Sequence, residues 1–290
     1  KVGVISRGYG GDSNQMPTLV RADSLPSIVG DEPCLIVNMT GAAMAVCPNR
    51  KQAITTLLNA HPDLQLIIAD DGLQHYALQR DIEWIVVDAS RGFGNQQLLP
   101  TGFLREPMSR LTGANVVYHE KADRTTKDNK QAKAKRLTMH LQADELQILW
   151  PSAVEIDGLS VAAKTLMPPI PNGRVHAVSG IGYPQRFFDT LMALGFDVIG
   201  HAYPDHYDFS LTELLQYSEL PIIVTSKDAV KIRALLINMS SRQPLNDEYQ
   251  ELVHRLWVLP VTAVLSDGCY VSLQQQLKAL NINLSKSTKA

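Results

Sequence analysis

The sequence predicts an α/β fold in which a parallel sheet is covered by helices on both faces. Short, nearly continuous apolar runs alternate with segments of helical periodicity, which is typical of parallel sheets with crossover helices. The clearest example is the predicted helix over 49–60, which is followed by the apolar run 64–69 (Leu-Gln-Leu-Ile-Ile-Ala). A glycine-rich turn, residues 6–11 (Ser-Arg-Gly-Tyr-Gly-Gly), follows the first predicted strand.

The same patterns predict the remaining elements in chain order. In the first half we expect strands over 2–5, 64–69, 84–87 and 115–118, and helices over 31–39 and 49–60. In the second half we expect strands over 175–178, 221–224 and 256–259, and helices over 185–194 and 227–236. Residues 137–141 and 146–150 predict a β-hairpin, and the polar residues 238–250 predict a surface insertion.

Two changes of composition predict the domain boundaries. Residues 120–136 are basic with few apolar neighbours, and prolines cluster at 168–171. We therefore predict an α/β lobe over 1–119, a linker with a β-hairpin over 120–172, and a second, smaller α/β lobe over 173–290. The basic stretch is interpreted as a solvated connector or, alternatively, as a patch facing an anionic membrane surface.

Composition narrows the function classes. Of the 290 residues 45% are apolar and 19% are charged. The formal net charge is −2, and this disfavours a nucleic-acid-binding role because binding to phosphates needs a surplus of basic residues. Cys34, Cys47 and Cys269 lack metal-ligand spacing and indicate reduced thiols. No apolar run approaches the ~18 residues that span a bilayer.

Two adjacent acids, Asp70 and Asp71, follow the apolar run 64–69 directly. Ligands of open α/β sheets bind outside the carboxyl ends of the strands, so these carboxylates are delivered to a ligand site. Two adjacent buried acids need a partner, and a cation such as Mg²⁺ is the natural one. The alternative is that one of them caps the following turn.

Three further segments place polar side chains at the edges of elements. Asp31 and Glu32 stand at a predicted helix start, where capping is the simpler interpretation, and His206 lies between aromatic residues in a predicted loop. A His and a carboxylate can together take a proton from a hydroxyl, although the sequence does not show that Asp31 and His206 meet. Arg7 in the glycine-rich turn suits anion binding.

Taken together and in order, the motifs resemble the tetraacyldisaccharide 4'-kinase family, the lipid A 4'-kinases. The resemblance extends from residue 1 to about 235 and rests on the ordered set rather than on any single motif. The motifs are Ser6–Gly10, Gly30–Pro33, Asp70–His75, Phe93–Asn95, Leu98–Pro100, Arg105–Pro107, Gly180–Gly182, Asp205–Tyr207 and Thr225–Lys231.

The resemblance implies transfer of the γ-phosphate of ATP to the 4'-hydroxyl of a tetraacylated glucosamine disaccharide 1-phosphate in lipid A biosynthesis. It implies a P-loop-type sheet, a second α/β lobe joined by a β-strand linker, and the cofactors ATP and Mg²⁺. It further implies peripheral attachment at the cytoplasmic face of the bacterial inner membrane. The lipid A disaccharide precursor and the membrane surface are the expected partners, with no nucleic acid and no protein partner implied.

The resemblance also implies roles for individual residues. Asp70 and Asp71 match the magnesium-binding acids, Asp31 matches the base for the sugar hydroxyl, His206 matches its partner, and Glu106 is a further catalytic candidate. The candidate substrate-binding residues are Ser6, Arg7, Tyr9, Glu32, Gln74, His75 and Arg105.

One expected motif does not occur. The phosphate-binding loop G-x-x-x-x-G-K-[ST] of the family is absent from the 290 residues. We expect that it lies upstream of Lys1, that the sequence is N-terminally truncated, and that these residues alone are inactive. The alternative functions are a P-loop NTPase of the metallochaperone or switch type and an inactive fragment of the kinase.

Overall fold

The computed structural model describes residues 1–121, 136–150, 167–217, 219–242 and 244–282. Packing divides the chain into two units: Lys1–Gly72 with Ala143–Pro260, and Leu73–Gln142 with Val261–Ala290. These units cut across the predicted segments 1–119, 120–172 and 173–290, so the division into two lobes and a linker stays a prediction. Most of the basic stretch 120–136 lies outside the described residues.

Thirteen strands and eight α-helices are present in the described part of the chain. The strands are Val2–Ser6 (β1), Thr18–Val20 (β2), Ala43–Val46 (β3), Leu66–Ala69 (β4), Trp84–Asp88 (β5), Asn115–His119 (β6), Leu137–Ala143 (β7), Gln147–Ile148 (β8), Arg174–Ser179 (β9), Asp197–Ala202 (β10), Ile222–Thr225 (β11), Leu256–Leu259 (β12) and Val261–Leu265 (β13). The helices are Pro26–Val29 (α1), Asp31–Thr40 (α2), Arg50–Ala60 (α3), Pro184–Ala193 (α4), Leu211–Leu215 (α5), Ser226–Ser240 (α6), Asp247–Arg255 (α7) and Asp267–Ala279 (α8).

The first unit contains two sheets. One has the order β2-β3-β1-β4, in which β1 is parallel to both β3 and β4, and the short β2 is antiparallel. The other has the order β10-β9-β11-β12-β8, parallel except for β8 at its edge. In both sheets the carboxyl ends of parallel strands lie at one edge, where loops and helix starts collect.

Helix α6 joins the cores of these two sheets. It follows β11 of the second sheet, yet its Val230 is buried in the apolar cluster of the first sheet together with Val4, Val29, Cys34 and Val37. Ala229, Ile232 and Leu236 on the same helix are buried in the core of the second sheet. Helices α2 and α6 are therefore neighbours, and their N-terminal turns are brought close together.

The second unit has one described sheet, of order β13-β7-β6-β5, in which β5, β6 and β7 run parallel. Helix α8 is attached to this sheet by polar contacts. Trp84 donates its indole N–H to the side-chain oxygen of Gln276 at 3.0 Å, and the Gln276 amide donates to Asn115 at 2.7 Å.

Several predictions differ from the structure. The hairpin is wrong, because β7 pairs with β6 and β8 pairs with β12 in a different sheet. The predicted surface insertion 238–250 runs into helix α7, which starts at Asp247 under an Asn246 cap. The strands predicted at 84–87 and 115–118 belong to a different sheet from β1 and β4. Strands β2, β3, β10 and β13 and helices α1, α7 and α8 were not predicted. No helix in the described residues is long and apolar enough to cross a membrane.

Candidate active site

A close backbone approach at Gly30 positions Asp31. Gly30 has φ 95°, and a Cβ at this position would come within 2.5 Å of the Tyr9 carbonyl oxygen. A residue with a side chain would therefore be excluded on two grounds, the left-handed conformation and the contact. The start of α2 is thus held directly against the glycine-rich turn, and Asp31 follows as the first residue of the helix.

Asp31 and His206 form a hydrogen-bonded pair within the first unit. The Nδ1 atom of His206 lies 3.1 Å from Oδ2 of Asp31, whose side chain is 6% exposed. The other carboxylate oxygen, Oδ1, accepts from the backbone N–H of Glu32 at 3.0 Å. The first N–H groups of a helix have no partner within the helix, so the start of α2 supplies a hydrogen-bond donor to the Asp31 carboxylate.

The backbone of His206 is held in an uncommon conformation by its neighbours. Its φ is 60°, in the left-handed region, and its N–H donates to the carbonyl of Gly180 at 3.1 Å. The Gly180 N–H in turn donates to the carboxylate of the fully buried Asp228 at 3.1 Å, and Lys231 donates to the carbonyl of Tyr207 at 2.6 Å. A strained residue persists where the contacts around it fix its conformation. Here Asp228 and Lys231 of α6 supply those contacts, by holding Gly180 and the carbonyl of Tyr207.

The Lys227 ammonium lies beside the imidazole of His206. Its Nζ is 3.4 Å from Nε2 of His206, 3.1 Å from a carboxylate oxygen of Glu32 and 3.6 Å from one of Asp205. Burial lowers the pKa of Lys227, but the carboxylates of Asp31, Glu32 and Asp205 outweigh that effect, so its pKa is raised. Lys227 is therefore a cation at neutral pH.

The Tyr9 ring contacts the imidazole of His206. The two ring centroids are 5.1 Å apart with an interplanar angle of 56°, while the Tyr9 side chain remains 62% exposed. The glycine-rich turn thus contributes an aromatic contact to His206 as well as the backbone contact to Gly30.

Asp70 and Asp71 lie at the carboxyl end of β4, as the strand pattern predicts. Burial raises the pKa of Asp70, the hydrogen bond from Ser6 at the end of β1 lowers it, and the nearby charges of Glu32 and Asp71 raise it again. The result is a pKa above the usual range. Asp71 is exposed and has φ 45°, a conformation that Asp tolerates better than most residues.

A buried arginine, Arg50, is part of the same group of charges. It starts α3 after β3, is 4% exposed, and donates from Nη1 to the carbonyl of Cys47 at 3.0 Å. Burial lowers the pKa of Arg50, the nearby charges of Asp70 and Asp71 raise it, and Arg7 lowers it. The strand ends therefore hold acids and guanidinium groups together, which is a suitable environment for a metal–phosphate complex.

The acids present fit Mg²⁺ bound together with phosphate rather than an all-protein metal cage. In the described residues no group of three or more His, Cys, Asp and Glu side chains could hold a metal ion. Magnesium is commonly held by one or two carboxylates while phosphates and waters complete its shell. Burial is the main cause of the raised pKa of Asp70, and a bound Mg²⁺ would offset that effect on the ionised carboxylate.

The remaining candidates, Gln74, His75, Arg105 and Glu106, belong to the second unit. Glu106 is 10% exposed and pairs with Arg110 at 3.4 Å. A hydrogen bond to Glu106 raises the pKa of Tyr76. Gln74 and Arg105 are exposed, and the His75 carbonyl accepts from Arg80 at 2.9 Å.

The structure adds residues to which the sequence assigned no role, namely Arg50, Lys227, Asp228 and Lys231. Arg50 follows strand β3, which was not predicted, so Arg50 was not considered as a residue at the carboxyl end of a strand. The other three lie in the motif Thr225–Lys231, where a helix start after a strand would have been a signal for site residues.

Comparison with known proteins agrees with these features. The sequence model of the family described as tetraacyldisaccharide-1-P 4'-kinase (LpxK) matches residues 1–278. A tetraacyldisaccharide 4'-kinase of Psychrobacter arcticus is 71% identical, over 98% of this chain and 76% of the relative. One of Pseudomonas fluorescens is 43% identical, over 81% of this chain and 65% of the relative.

A solved structure shares the fold. It is the "apo" form of LpxK from Aquifex aeolicus in complex with ATP, which matches with a TM-score of 0.62 and 21% identity over 97% of this chain and 79% of that one. The family match extends over nearly the whole chain and includes both halves of the Asp31–His206 pair. The chain belongs to the tetraacyldisaccharide-1-P 4'-kinase family.

Proposed function

We propose that this protein transfers the γ-phosphate of ATP to the 4'-hydroxyl of a tetraacylated glucosamine disaccharide 1-phosphate, a step of lipid A biosynthesis. The observation that carries the proposal is the buried Asp31 carboxylate, hydrogen-bonded to His206 in a chain of this family. A buried carboxylate with an orienting His suits proton removal from an alcohol.

In the proposed reaction the 4'-oxygen forms a bond to the γ-phosphorus, and the bond from that phosphorus to the β–γ bridging oxygen breaks. ADP leaves, and the hydroxyl proton passes to the Asp31 carboxylate. Such transfers depend mainly on positioning and on stabilisation of charge, so the protein's task is to hold acceptor and donor in line.

Asp31 is suited to be the proton acceptor because its two oxygens are already oriented. The Glu32 N–H holds one oxygen at 3.0 Å, and His206 Nδ1 holds the other at 3.1 Å. Both contacts come from groups that are themselves fixed, by the N-terminal turn of α2 and by the strained loop at 206. Little rearrangement is then needed when the proton moves.

We propose that Asp70 and Asp71 hold Mg²⁺, which when bound neutralises charge on the β- and γ-phosphate oxygens. The partly buried Asp70, with Ser6 and Arg50 beside it, supports this placement. The 290 residues contain no P-loop motif, so we assign to them the metal side and the acceptor side of the site. Substrate-binding roles for Ser6, Arg7, Tyr9, Glu32, Gln74, His75 and Arg105, and a catalytic role for Glu106, remain proposals.

We also propose that the protein acts at the cytoplasmic face of the bacterial inner membrane as a peripheral protein. The loop 90–105, which follows β5, supports contact with an anionic lipid surface. Leu98, Leu99 and Phe103 in this loop are 44%, 61% and 44% exposed, and the Arg91 guanidinium lies 5.5 Å from the Phe103 ring. Residues 89–105 include two arginines and no acid, and such a mixture of apolar and basic groups suits a membrane interface.

The catalytic assignment is tested by Asp31→Asn and His206→Ala in the full-length protein. We expect each substitution to lower kcat about 10²–10⁴-fold, the range of general acid–base catalysis, with little change in KM for ATP. Phosphate transfer from labelled ATP to the lipid acceptor is the measurement. Asp23→Asn and His254→Ala, at exposed positions, are the matched controls. Acceptor-independent ATP hydrolysis that both active-site substitutions leave intact would instead indicate a nucleotide switch.

The metal assignment is tested by thermal unfolding of Asp70→Asn with and without Mg²⁺. Because the folded-state pKa of Asp70 is raised, its contribution to stability is present at low pH and is lost as the pH rises through that pKa. At pH 7 without metal we therefore expect the variant to unfold at the same temperature as the wild type or at a higher one. Mg²⁺ should raise the wild-type Tm and not that of the variant.

The control for this experiment is Asp63→Asn, whose side chain is 60% exposed and pairs with Lys1. It should retain the response to Mg²⁺. An Asp70→Asn protein that is destabilised and still responds to Mg²⁺ like the wild type would contradict the metal assignment.

The membrane assignment is tested by sedimentation of the 290-residue chain with vesicles. We expect Leu99→Ser combined with Phe103→Ser to weaken binding to phosphatidylglycerol-containing vesicles about tenfold, since losing ~1.4 kcal/mol of apolar burial has that effect. Ile237→Ser, at a 52% exposed position outside the loop, should leave binding unchanged. Equal binding by the double variant and the wild type would show that another surface contacts the lipid.

A further inference from the structure

The Asp31–His206 pair leaves one question of chemistry open, namely which of the two groups takes the proton. In many His–carboxylate pairs the acid orients the imidazole and the free ring nitrogen acts as the base. That arrangement requires Nε2 of His206 to be open to the reacting hydroxyl. In this structure Nε2 faces the Lys227 ammonium at 3.4 Å.

An ammonium group can only donate hydrogen bonds. The ring nitrogen that faces it must then be the unprotonated one, because a protonated Nε2 would direct an N–H at another donor. The proton of the neutral ring is consequently on Nδ1, where Asp31 Oδ2 accepts it at 3.1 Å. Both contacts of the imidazole select the same tautomer.

The position of Lys227 is fixed independently of His206. The first turn of α6 carries it, its side chain is 16% exposed, and its ammonium contacts Glu32 at 3.1 Å and Asp205 at 3.6 Å. The neighbouring Asp228 anchors the same turn to Gly180. Lys227 is thus a partly buried cation held by two acids, with His206 as its third neighbour.

The groups that face His206 are Asp31 from α2, Lys227 from α6, Asp205 from its own loop and the Tyr9 ring from the glycine-rich turn. Of these, Lys227 is the one cation within 4 Å in the described part of the chain. The Lys227 ammonium leaves no room for a proton on Nε2, because two hydrogen-bond donors cannot face each other. In a variant without that ammonium, Nε2 is open to a proton, and the ring would then compete for the Asp31 carboxylate.

We propose that Lys227 is a positioning residue that assigns the roles within the pair. Its ammonium contacts Nε2 of His206, so the proton of the neutral ring is on Nδ1. The Asp31 carboxylate is then the group left to accept the proton in the kinase reaction. This inference rests on the proposed function, because it concerns the pair that the reaction would use.

The direct test is the tautomer of His206, read from long-range ¹H–¹⁵N correlations of the histidine rings, with His206→Ala used to assign the signals. The wild type should show the Nδ1–H form at neutral pH. Lys227→Met should lose that form and give the doubly protonated ring, because Nε2 becomes free to take a proton while Nδ1–H still faces Asp31, and Lys227→Arg should retain the Nδ1–H form. Lys278→Met, at an exposed position of α8, removes the same charge elsewhere and should change nothing.

Kinetics give a second test in the full-length protein. We expect Lys227→Met to lower kcat about tenfold and to move the acid limb of the kcat/KM profile upward by about one to three pH units, the range for one charge ~4 Å away between bulk water and a protein surface. Lys227→Arg should restore most of both. Loss of packing alone would lower kcat without moving the acid limb.

An Nε2–H tautomer in the wild type would overturn the proposal, and so would an unchanged tautomer in Lys227→Met. An Nε2–H signal in the wild type overturns the proposal even where the Met variant does not fold. The tautomer measurement needs no lipid acceptor. A wild type with the Nδ1–H form but no acceptor phosphorylation would therefore contradict the proposed function and leave the role of Lys227 in fixing the tautomer intact.

Discussion

The packing of helix α6 against helix α2 is the contact on which the candidate site depends. The two helices belong to different sheets and are nearly 200 residues apart, so no local preference brings them together. Val230 of α6 is 6% exposed within the core around Val29, Cys34 and Val37. Burial of a valine contributes about 1.5–3 kcal/mol, and here that burial also brings the start of α6 beside the start of α2.

The polar contacts around His206 depend on that apolar contact. Once the helices are in place, Lys227 reaches Glu32 and His206, Asp228 anchors Gly180, and Lys231 holds the Tyr207 carbonyl. Each of these contacts restrains the loop in which His206 adopts φ 60°. A strained residue with such restraints is common at functional sites, because the arrangement is fixed before substrate binds.

A second constraint acts at the carboxyl ends of β1, β3 and β4. Parallel strands end at one edge, so Ser6, Arg50 and Asp70 collect there although they are far apart in sequence. The pKa of Asp70 is raised by burial while that of Arg50 is lowered by it, which means that both charges lack solvation in the structure. A bound metal and phosphate would offset that loss, and the fold thereby favours ligands of that chemistry.

Much of this arrangement could be predicted from the sequence, and what could not has physical causes. The apolar run before Asp70 predicted strand β4, and the patterns at 31–39 and 49–60 predicted α2 and α3, because periodicity and strand ends are local signals. The hairpin at 137–150 was wrong because both strands find distant partners, which no local pattern records. Strand β3 was missed because the small residues Ala43 and Ala45 give a weak strand signal.

The sequence indicated individual residues of the candidate site but not which of them are in contact. Asp31 and His206 were each recognised at an element's edge, yet their contact follows from α2–α6 packing, which is a tertiary property. Lys227 was missed for the same reason, since a lysine at a helix start is ordinarily solvated. Its role becomes visible when Glu32 and Asp205 are found around it.

A double-mutant cycle on Asp31 and His206, read as kcat for transfer to the lipid acceptor, tests the central claim most directly. If the two residues act as one proton-accepting unit, Asp31→Asn combined with His206→Ala should be no slower than the slower single variant, because groups that act together are not additive. Multiplicative losses, with the double variant slower by the product of the two single effects, would show that they act independently and would contradict the account.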